Sequence, residues 1–158
     1  MSLDPSMFRA ALGRFASGIT VITARDADGR DGGMTVSAFS SLSLDPPLIL
    51  VCVDRSASAG PVFDAAEHFA VNILSEDQEA ISRRFAQKDV DRFDGVGFTR
   101  SALGVPLLDA ALATLECRAT ARHPGGDHSI LVGEVLEATL HEGHPLLYYR
   151  SGYRRLER

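Results

Sequence analysis

The stretch from Gly32 to Val53, GGMTVSAFSSLSLDPPLILVCV, constrains the fold of this chain more than any other stretch. In an extended strand, successive side chains point to opposite faces. One face of a strand over Met34–Leu44 would then carry small hydroxyls around one aromatic ring and no charge, from Thr35, Ser37, Phe39, Ser41 and Ser43. The turn formers Asp45-Pro46-Pro47 follow, and Leu48–Val53 is six apolar residues, which is typical of a strand buried on both faces.

The hydroxyl-rich face has two interpretations. Hydroxyls donate and accept hydrogen bonds without a buried charge, which suits a flat ligand with polar edges. Serine and threonine also pair well across a sheet that binds nothing. Because hydroxyl-rich strands are common, the strand pattern alone favours the second interpretation.

Length, composition and charge limit the classes of protein to consider. The 158 residues predict one domain spanning residues 1–158, and 45% of them are hydrophobic, enough for a core. The net charge of −5 argues against nucleic acid or an anionic membrane as a partner. Cys52 and Cys117 lie in apolar runs, so we expect buried thiols rather than a disulfide. No signal peptide or membrane-length apolar run is visible, which predicts a cytoplasmic protein.

The patterns in the remaining chain predict mostly short strands with a few helices. Asp4-Pro5 predicts the start of a helix that Gly18 ends, and Ser75 with Gln78 predicts the capping box of another. Further strands are expected at Ile19–Ala24, Phe69–Leu74, Leu112–Arg122, Ser129–Leu140 with a bulge at Gly133, and His144–Arg150. Such hairpin-linked strands predict an antiparallel barrel or sandwich with helical additions.

The loop Asp54-Arg55-Ser56-Ala57-Ser58 is a candidate phosphate site. Its serine hydroxyls, its backbone N–H groups and the helix start at Pro61 all suit an anion. The alternative is an ordinary helix entry in which the serines only cap, and the local sequence does not separate the two. The loop leaves the strand that pairs with the hydroxyl-rich one, so a ring site and a phosphate site would lie close together.

Four strings occur in a characteristic order along the chain. They are T-V-S-A-F-S-S-L-S-L-D-P-P-L-I-L-V, F-A-Q-K-D-V-D-R-F, D-H-S-I-L-V-G-E-V and H-P-L-L-Y-Y-R-S-G-Y. Together they resemble the flavin reductase family, the small reductase components that feed reduced flavin to a separate monooxygenase. The resemblance runs from Phe8 to Tyr153. It implies an α+β fold, mainly β with helices, in the form of an antiparallel split β-barrel of Greek-key type.

The resemblance also implies a site. His128 would line the cavity beside the flavin and the nicotinamide as the catalytic residue, orienting the rings or donating a proton. FMN or FAD would be the flavin, and NADH or NADPH the co-substrate. Together with the loop, the cofactor-binding residues would be Thr35, Val36, Ser37, Ala38, Phe39, Ser41, Asp54, Arg55, Ser56, Ser58, Phe85, Phe93, Tyr149, Arg150 and Tyr153.

The function implied by the resemblance is that of an NAD(P)H:flavin oxidoreductase, a homodimer that supplies diffusible reduced flavin to a partner monooxygenase. Two alternatives stay open. One is an FMN-binding electron carrier without NAD(P)H turnover, and the other is a flavin-dependent reductase of another acceptor, such as ferric iron or a corrin. No metal site is expected, because the histidines lack the Cys/His clusters of zinc sites.

Overall fold

The computed structural model describes residues 1–157, and the helices within them are short. They are α1 (Pro5–Leu12), α2 (Gly60–Ala65) and α3 (Glu79–Phe85), with a 3-10 turn at Glu76–Gln78 before α3. The predicted cap of α1 is confirmed, since Asp4 accepts a hydrogen bond from the Ser6 N–H. Within the described residues, no helix combines the length and apolar character needed to cross a membrane.

The helix α1 ends earlier than the sequence predicted. It stops at Leu12 rather than at Gly18, and the Gly13 N–H closes its last turn on the Arg9 carbonyl at 2.9 Å. Phe15 therefore lies outside the helix. The predicted capping box is confirmed, because the Ser75 N–H donates to the Gln78 side chain at 3.0 Å.

Twelve strands form three antiparallel sheets within the described residues. Their bounds are β1 Ser17–Gly18, β2 Thr20–Arg25, β3 Asp31–Val36, β4 Phe39–Leu44, β5 Pro47–Asp54, β6 His68–Ile73, β7 Phe98–Arg100, β8 Pro106–Leu108, β9 Ala113–Gly125, β10 His128–Leu140, β11 Leu147–Tyr149 and β12 Gly152–Arg154. The main sheet has the order β3-β2-β6-β9-β10-β5-β4. The strands β1, β11 and β12 form a small second sheet, and β7 pairs with β8.

The prediction of one continuous strand over Met34–Leu44 is wrong. The chain changes direction at Ser37 and Ala38, so β3 and β4 hold opposite edges of the main sheet although they are consecutive in the chain. A sheet whose two edges are joined in this way is the split barrel that the resemblance implied. The two halves also differ in burial, since Met34 and Val36 in β3 are buried whereas Leu42 and Leu44 in β4 are 51% and 94% exposed.

The predicted hairpin of β4 and β5 is confirmed, but β5 is not buried on both faces. Ile49, Val51 and Val53 point into the core, whereas Leu50 and Cys52 on the other face are only half-buried. Cys52 is consequently not the buried thiol that was expected, and Cys117 is. The outer face of β5 is therefore available to line a cavity.

The main core lies on the inner face of the curled sheet. Large side chains such as Phe63, Phe69 and Val51 are nearly or wholly buried there. Asn72 is buried as well, and its amide donates to the Val21 carbonyl and accepts from the Leu108 N–H, both at 2.9 Å. A buried amide that is satisfied in this way adds specificity to the core rather than a desolvation penalty.

The predicted bulge at Gly133 is confirmed by a shift in the β9–β10 register between Val132 and Gly133. Glycine is required at this position for space. A Cβ there would lie 2.5 Å from Cζ of Phe69 and 2.9 Å from Cβ of Cys117. The core of the barrel therefore packs directly on the bare backbone of β10.

The substitution Gly133→Ala should lower the free energy of unfolding by about 1–3 kcal/mol, the usual range for overpacking a core. Urea denaturation followed by circular dichroism measures it. The matched control is Gly18→Ala in β1, where an added Cβ meets no atom within 4 Å. Equal losses in the two variants would contradict the packing explanation.

Candidate functional site

A large cavity lies between α1, β4 and β5 and has a volume of about 670 Å³. Ser37, Ala38 and Phe39 line it from the corner between β3 and β4, and Cys52 lines it from β5. The Cys52 N–H donates to the Ala38 carbonyl at 3.0 Å, which holds the corner against β5. The rest of the wall is largely apolar and includes Phe15, which suits a flat ring. We name this space the ring cavity.

Two predicted residues do not reach the ring cavity with their side chains. Val36 is 5% exposed and packs in the core, and its carbonyl accepts the Thr20 hydroxyl at 2.7 Å. Ser41 lies opposite Ile49, next to a register irregularity, and does not line this cavity. The hydroxyls predicted for one face are separated because the chain turns the corner between them.

A second cavity of about 350 Å³ lies next to the loop after β5, and we name it the loop cavity. Asp54 at the end of β5 accepts the N–H and the hydroxyl of Ser56, each at 2.8 Å. These bonds from Ser56, the backbone one foremost, hold the pKa of the Asp54 carboxyl below its usual range. Ser56 is thus committed to its own loop, whereas the Ser58 hydroxyl makes no hydrogen bond to the described residues and lines the cavity.

Lys88 and Arg92 also line the loop cavity, and the sequence reasoning missed both. Arg92 donates from Nε to the Gln87 carbonyl at 2.9 Å and from Nη1 to the Gly33 carbonyl at 2.7 Å. Neither cation forms an ion pair within 4.0 Å with a carboxylate of the described residues, although the charge of Lys88 contributes to the lowered pKa of Asp54. Burial lowers the pKa of Arg92, but a guanidinium stays charged in proteins. Arg92 lies within the D-R-F string, from which the sequence reasoning selected only Phe93.

The two cavities lie along one strip of the barrel wall. Cys52 lines the ring cavity and Asp54 the loop cavity, and they are neighbours on the same face of β5. Thr35 near the end of β3 lines the loop cavity, and Ser37 at the corner that follows lines the ring cavity. Two residues of a strand span about 7 Å. The strip therefore suits an elongated ligand with a flat apolar end and an anionic end.

Phe85 lines the loop cavity, whereas Phe93 does not. Phe85 is wholly buried, and its ring meets Phe93 edge to face with 5.1 Å between the centroids. Phe93 in turn meets Phe98 at 5.4 Å. Phe85 has no free ring face for stacking, so its part in the site is to support the wall.

The C-terminal hairpin is tied to the same wall through α3. The Tyr153 hydroxyl lies 2.7 Å from Oγ of Ser82, and the Thr35 hydroxyl donates to the Ser82 carbonyl at 2.6 Å. The Arg83 guanidinium lies over the Tyr153 ring at 4.7 Å. Tyr153 is therefore joined to Thr35 through a single residue.

Tyr149 and Arg150 lie farther along this hairpin. Tyr149 is half-buried and pairs with Gly152 across a two-residue turn. In that turn Arg150 and Ser151 have φ of 51° and 62°, a conformation typical of tight hairpin turns. The Arg150 N–H donates to the Gly13 carbonyl at 3.0 Å, so the turn is held against the end of α1 rather than against the loop cavity.

His128 begins β10 directly opposite Asp54. Side chains at directly opposed positions lie on the same face of a sheet, which places the imidazole next to the loop cavity. Nδ1 of His128 lies 2.7 Å from Oδ1 of Asp127, and the His128 side chain is 42% exposed. The Arg55 side chain is exposed and makes no ion pair with the described residues, while its N–H donates to the Asp127 carbonyl.

The fold and the paired cavities define a small split-barrel protein with a site of nucleotide size. The model of the family described as "Flavin reductase like domain" matches residues 12–157. The chain therefore belongs to this family, and the resemblance inferred from its four strings is confirmed.

Relatives in this family carry more than one description. The chain is 47% identical over 150 residues to the reductase component of 4-hydroxyphenylacetate 3-monooxygenase from Thermus thermophilus, covering 94% of this chain and 95% of that protein. It is 44% identical over 149 residues to the actinorhodin polyketide dimerase of Streptomyces coelicolor, covering 94% and 84%. A solved NADH:FAD oxidoreductase of Streptomyces globisporus, in complex with NAD and FAD fragments, superimposes with a TM-score of 0.91 at 36% identity, covering 99% of this chain and 97% of that one.

The contribution of Asp54 to the stability of the folded state should depend on pH. A carboxyl whose pKa is lowered in the folded state stabilises that state above its unfolded pKa of about 3.9, and the contribution is lost as pH falls through the folded pKa. The difference in unfolding free energy between wild type and Asp54→Ala should therefore shrink between pH 6 and pH values below 3. The control is Asp64→Ala, which removes an exposed carboxylate without a hydrogen bond to the described residues. A gap for Asp54→Ala that does not change with pH would contradict this explanation.

Proposed function

We propose that this protein is an NAD(P)H:flavin oxidoreductase that transfers hydride from a nicotinamide to FMN or FAD and supplies reduced flavin to a partner monooxygenase. The observation that carries the proposal is the pairing of the ring cavity with a loop cavity that has two cations without carboxylate partners among the described residues. This donor set fits a flat ring joined to a phosphate. Family membership narrows the ring to a flavin.

The flavin would lie along the strip between the two cavities. Ser37, Ala38 and Phe39 would contact the ring, since they line the ring cavity. The phosphate would meet the free hydroxyl of Ser58 together with Lys88 and Arg92. Val36 and Ser41 line neither cavity, so their side chains would not contact the flavin. Phe85 lines the loop cavity but is wholly buried, so it would support the wall.

The bound flavin supplies the hydride-accepting chemistry, and the residues of this chain position the two nucleotides. His128 would hold the nicotinamide edge, with its ring oriented by the contact of Nδ1 with Asp127. Tyr153 would close the neighbouring side, since its hydroxyl is held by Ser82 and its ring by Arg83. Tyr149, Arg150 and Arg55 lie farther out and would act on the exposed part of a nucleotide.

We also propose a cytoplasmic homodimer built from a single domain. No residue of α1 is buried, although an isolated helix of this length is marginal in water. Phe15 is 85% exposed and Leu44 is 94% exposed, so the segment after α1 and the end of β4 present apolar side chains to solvent in one copy. Apolar surface of this kind is typical of a protein interface, and a second copy would cover it.

Flavin-stripped protein should oxidise NADH or NADPH, followed at 340 nm, at a rate that saturates with added FMN or FAD. His128→Ala should lower the turnover number about tenfold to hundredfold and change flavin affinity less, because it acts on the nicotinamide side. The matched control is His123→Ala, which removes an exposed histidine from the neighbouring end of β9.

Three results would overturn parts of this proposal. Flavin binding without NADH or NADPH oxidation would instead support the electron-carrier alternative. Oxidation that rises only with a ferric or corrin acceptor, at constant bound flavin, would support the other reductase. Equal losses of turnover and flavin affinity in His128→Ala would contradict its place beside the nicotinamide.

Replacing Phe15 and Leu44 together with Asp should shift the protein from dimer to monomer. Each change places a charge in the proposed interface and removes an apolar contact worth about 1.5–3 kcal/mol. Light scattering coupled to gel filtration measures the mass, and Leu103→Asp, at an exposed leucine outside α1 and β4, is the control. A wild-type protein that is monomeric at micromolar concentration would refute the homodimer.

A further inference from the structure

A third cavity of about 590 Å³ adjoins the loop cavity, and we name it the outer cavity. Ser58 and Arg92 line both spaces, so they form the wall between them. The outer cavity is the larger of the two, and its volume lies within the usual range for small-molecule sites. Placing one phosphate and the ribityl chain of a flavin in the loop cavity leaves the outer cavity without an assigned occupant.

Arg92 is built into this shared wall rather than spread on the surface. Its own side chain donates to the carbonyls of Gln87 and Gly33, which uses two of the five N–H donors of a guanidinium. Arg84 holds the same segment from the other side by donating to the carbonyls of Arg92 and Asp91, at 2.9 and 2.7 Å. The remaining Arg92 donors therefore belong to a cation that is fixed in place before any ligand binds.

Two of the three other charged residues of the outer cavity, Arg30 and Asp31, are in ion pairs, whereas Asp91 is not. Asp31 takes a two-point pair from Arg100, both bonds at 2.9 Å, and Arg30 pairs with Asp26 at 2.7 Å. Asp91 turns one carboxylate oxygen to the Phe93 N–H at 3.2 Å. Arg92 is thus the cation of the outer cavity that lacks an ionic partner among the described residues.

The loop cavity also has a cation that is in no close ion pair. Asp54 is engaged by Ser56, and Asp89 adds an exposed carboxylate at the rim. Lys88 is the second cation of this cavity that is in no close ion pair with the described residues, and it does not line the outer cavity. An anion that reaches from Lys88 to Arg92 would meet a charged donor at each end.

Apolar side chains form part of the wall of the outer cavity, between its charged residues. Pro61 and Val62 contribute from α2, and Val90 and Phe93 contribute from the segment after α3. Val90 is 44% exposed and lies at the mouth. Apolar and aromatic side chains next to a fixed cation suit a heteroaromatic base carried on a sugar and a phosphate.

We propose that the outer cavity binds the adenosine half of a dinucleotide flavin, with Ser58 and Arg92 on the pyrophosphate between the two halves, so that this protein prefers FAD to FMN. The inference rests on the proposed function, because it needs the flavin phosphate in the loop cavity. FMN fills the loop cavity alone and gains nothing from the outer one. FAD would occupy both cavities and contact Ser58 and Arg92, which line both.

Titration of flavin-stripped protein with FAD and with FMN, followed by calorimetry or flavin fluorescence, tests the proposal. We expect the dissociation constant for FAD to be at least tenfold lower than that for FMN. Val90→Asp places a carboxylate at the mouth of the outer cavity, and it should weaken FAD about tenfold while changing FMN less than twofold. The matched control is Leu103→Asp, at a leucine that is also 44% exposed but lines neither cavity, and it should change neither constant.

Each other outcome overturns the inference. FMN binding as tightly as FAD in the wild type refutes the preference, whether or not the variant folds. Equal weakening of both flavins by Val90→Asp means that the outer cavity does not discriminate between them. A raised Michaelis constant for NADH in Val90→Asp with unchanged FAD affinity assigns the outer cavity to the nicotinamide dinucleotide instead. If neither flavin binds to the wild type, the proposed function itself is wrong. That result differs from every result that refutes only the preference for FAD.

Discussion

The change of direction at Ser37 and Ala38 is the constraint on which the rest of the structure depends. It sends β3 to one edge of the main sheet and β4 to the other, so consecutive strands hold opposite edges and the sheet curls into a split barrel. Backbone bonds hold this corner, since the Phe39 N–H donates to the Ser37 carbonyl and the Cys52 N–H to the Ala38 carbonyl. If β4 simply continued β3, the ring cavity would have no wall on that side.

Polar groups in the core have all their partners within the fold, whereas some charged groups at the site do not. In the core, Asn72 has partners for its carbonyl oxygen and its amide, so its burial costs little. At the site, Lys88 and Arg92 form no close ion pair with a described carboxylate, and Arg92 is held in place by two carbonyls. Donors that are positioned but not neutralised lose little entropy when an anion arrives, which is the physical advantage of a preorganised site.

Much of the fold could be predicted from the sequence, and less of the site. The cap at Asp4, the capping box at Ser75 and the bulge at Gly133 follow from local rules, and the structure confirms each. The straight strand over Met34–Leu44 was wrong because alternation in a sequence does not reveal a corner, and both halves of that strand fit the pattern. The cations of the loop cavity were missed because a run of charges after a helix is usually a solvated loop.

The sequence by itself determined the family, the order of the elements and the segments that carry the site, because these depend on residue patterns that are local in the chain. Only the tertiary structure decided which donors are free for a ligand. The Thr35 hydroxyl donates to the Ser82 carbonyl, whereas Ser58, Lys88 and Arg92 remain available for a ligand. The physical reason is that a donor is free only if no acceptor lies within reach, and reach is set by elements that are distant in the chain, such as β3 and α3.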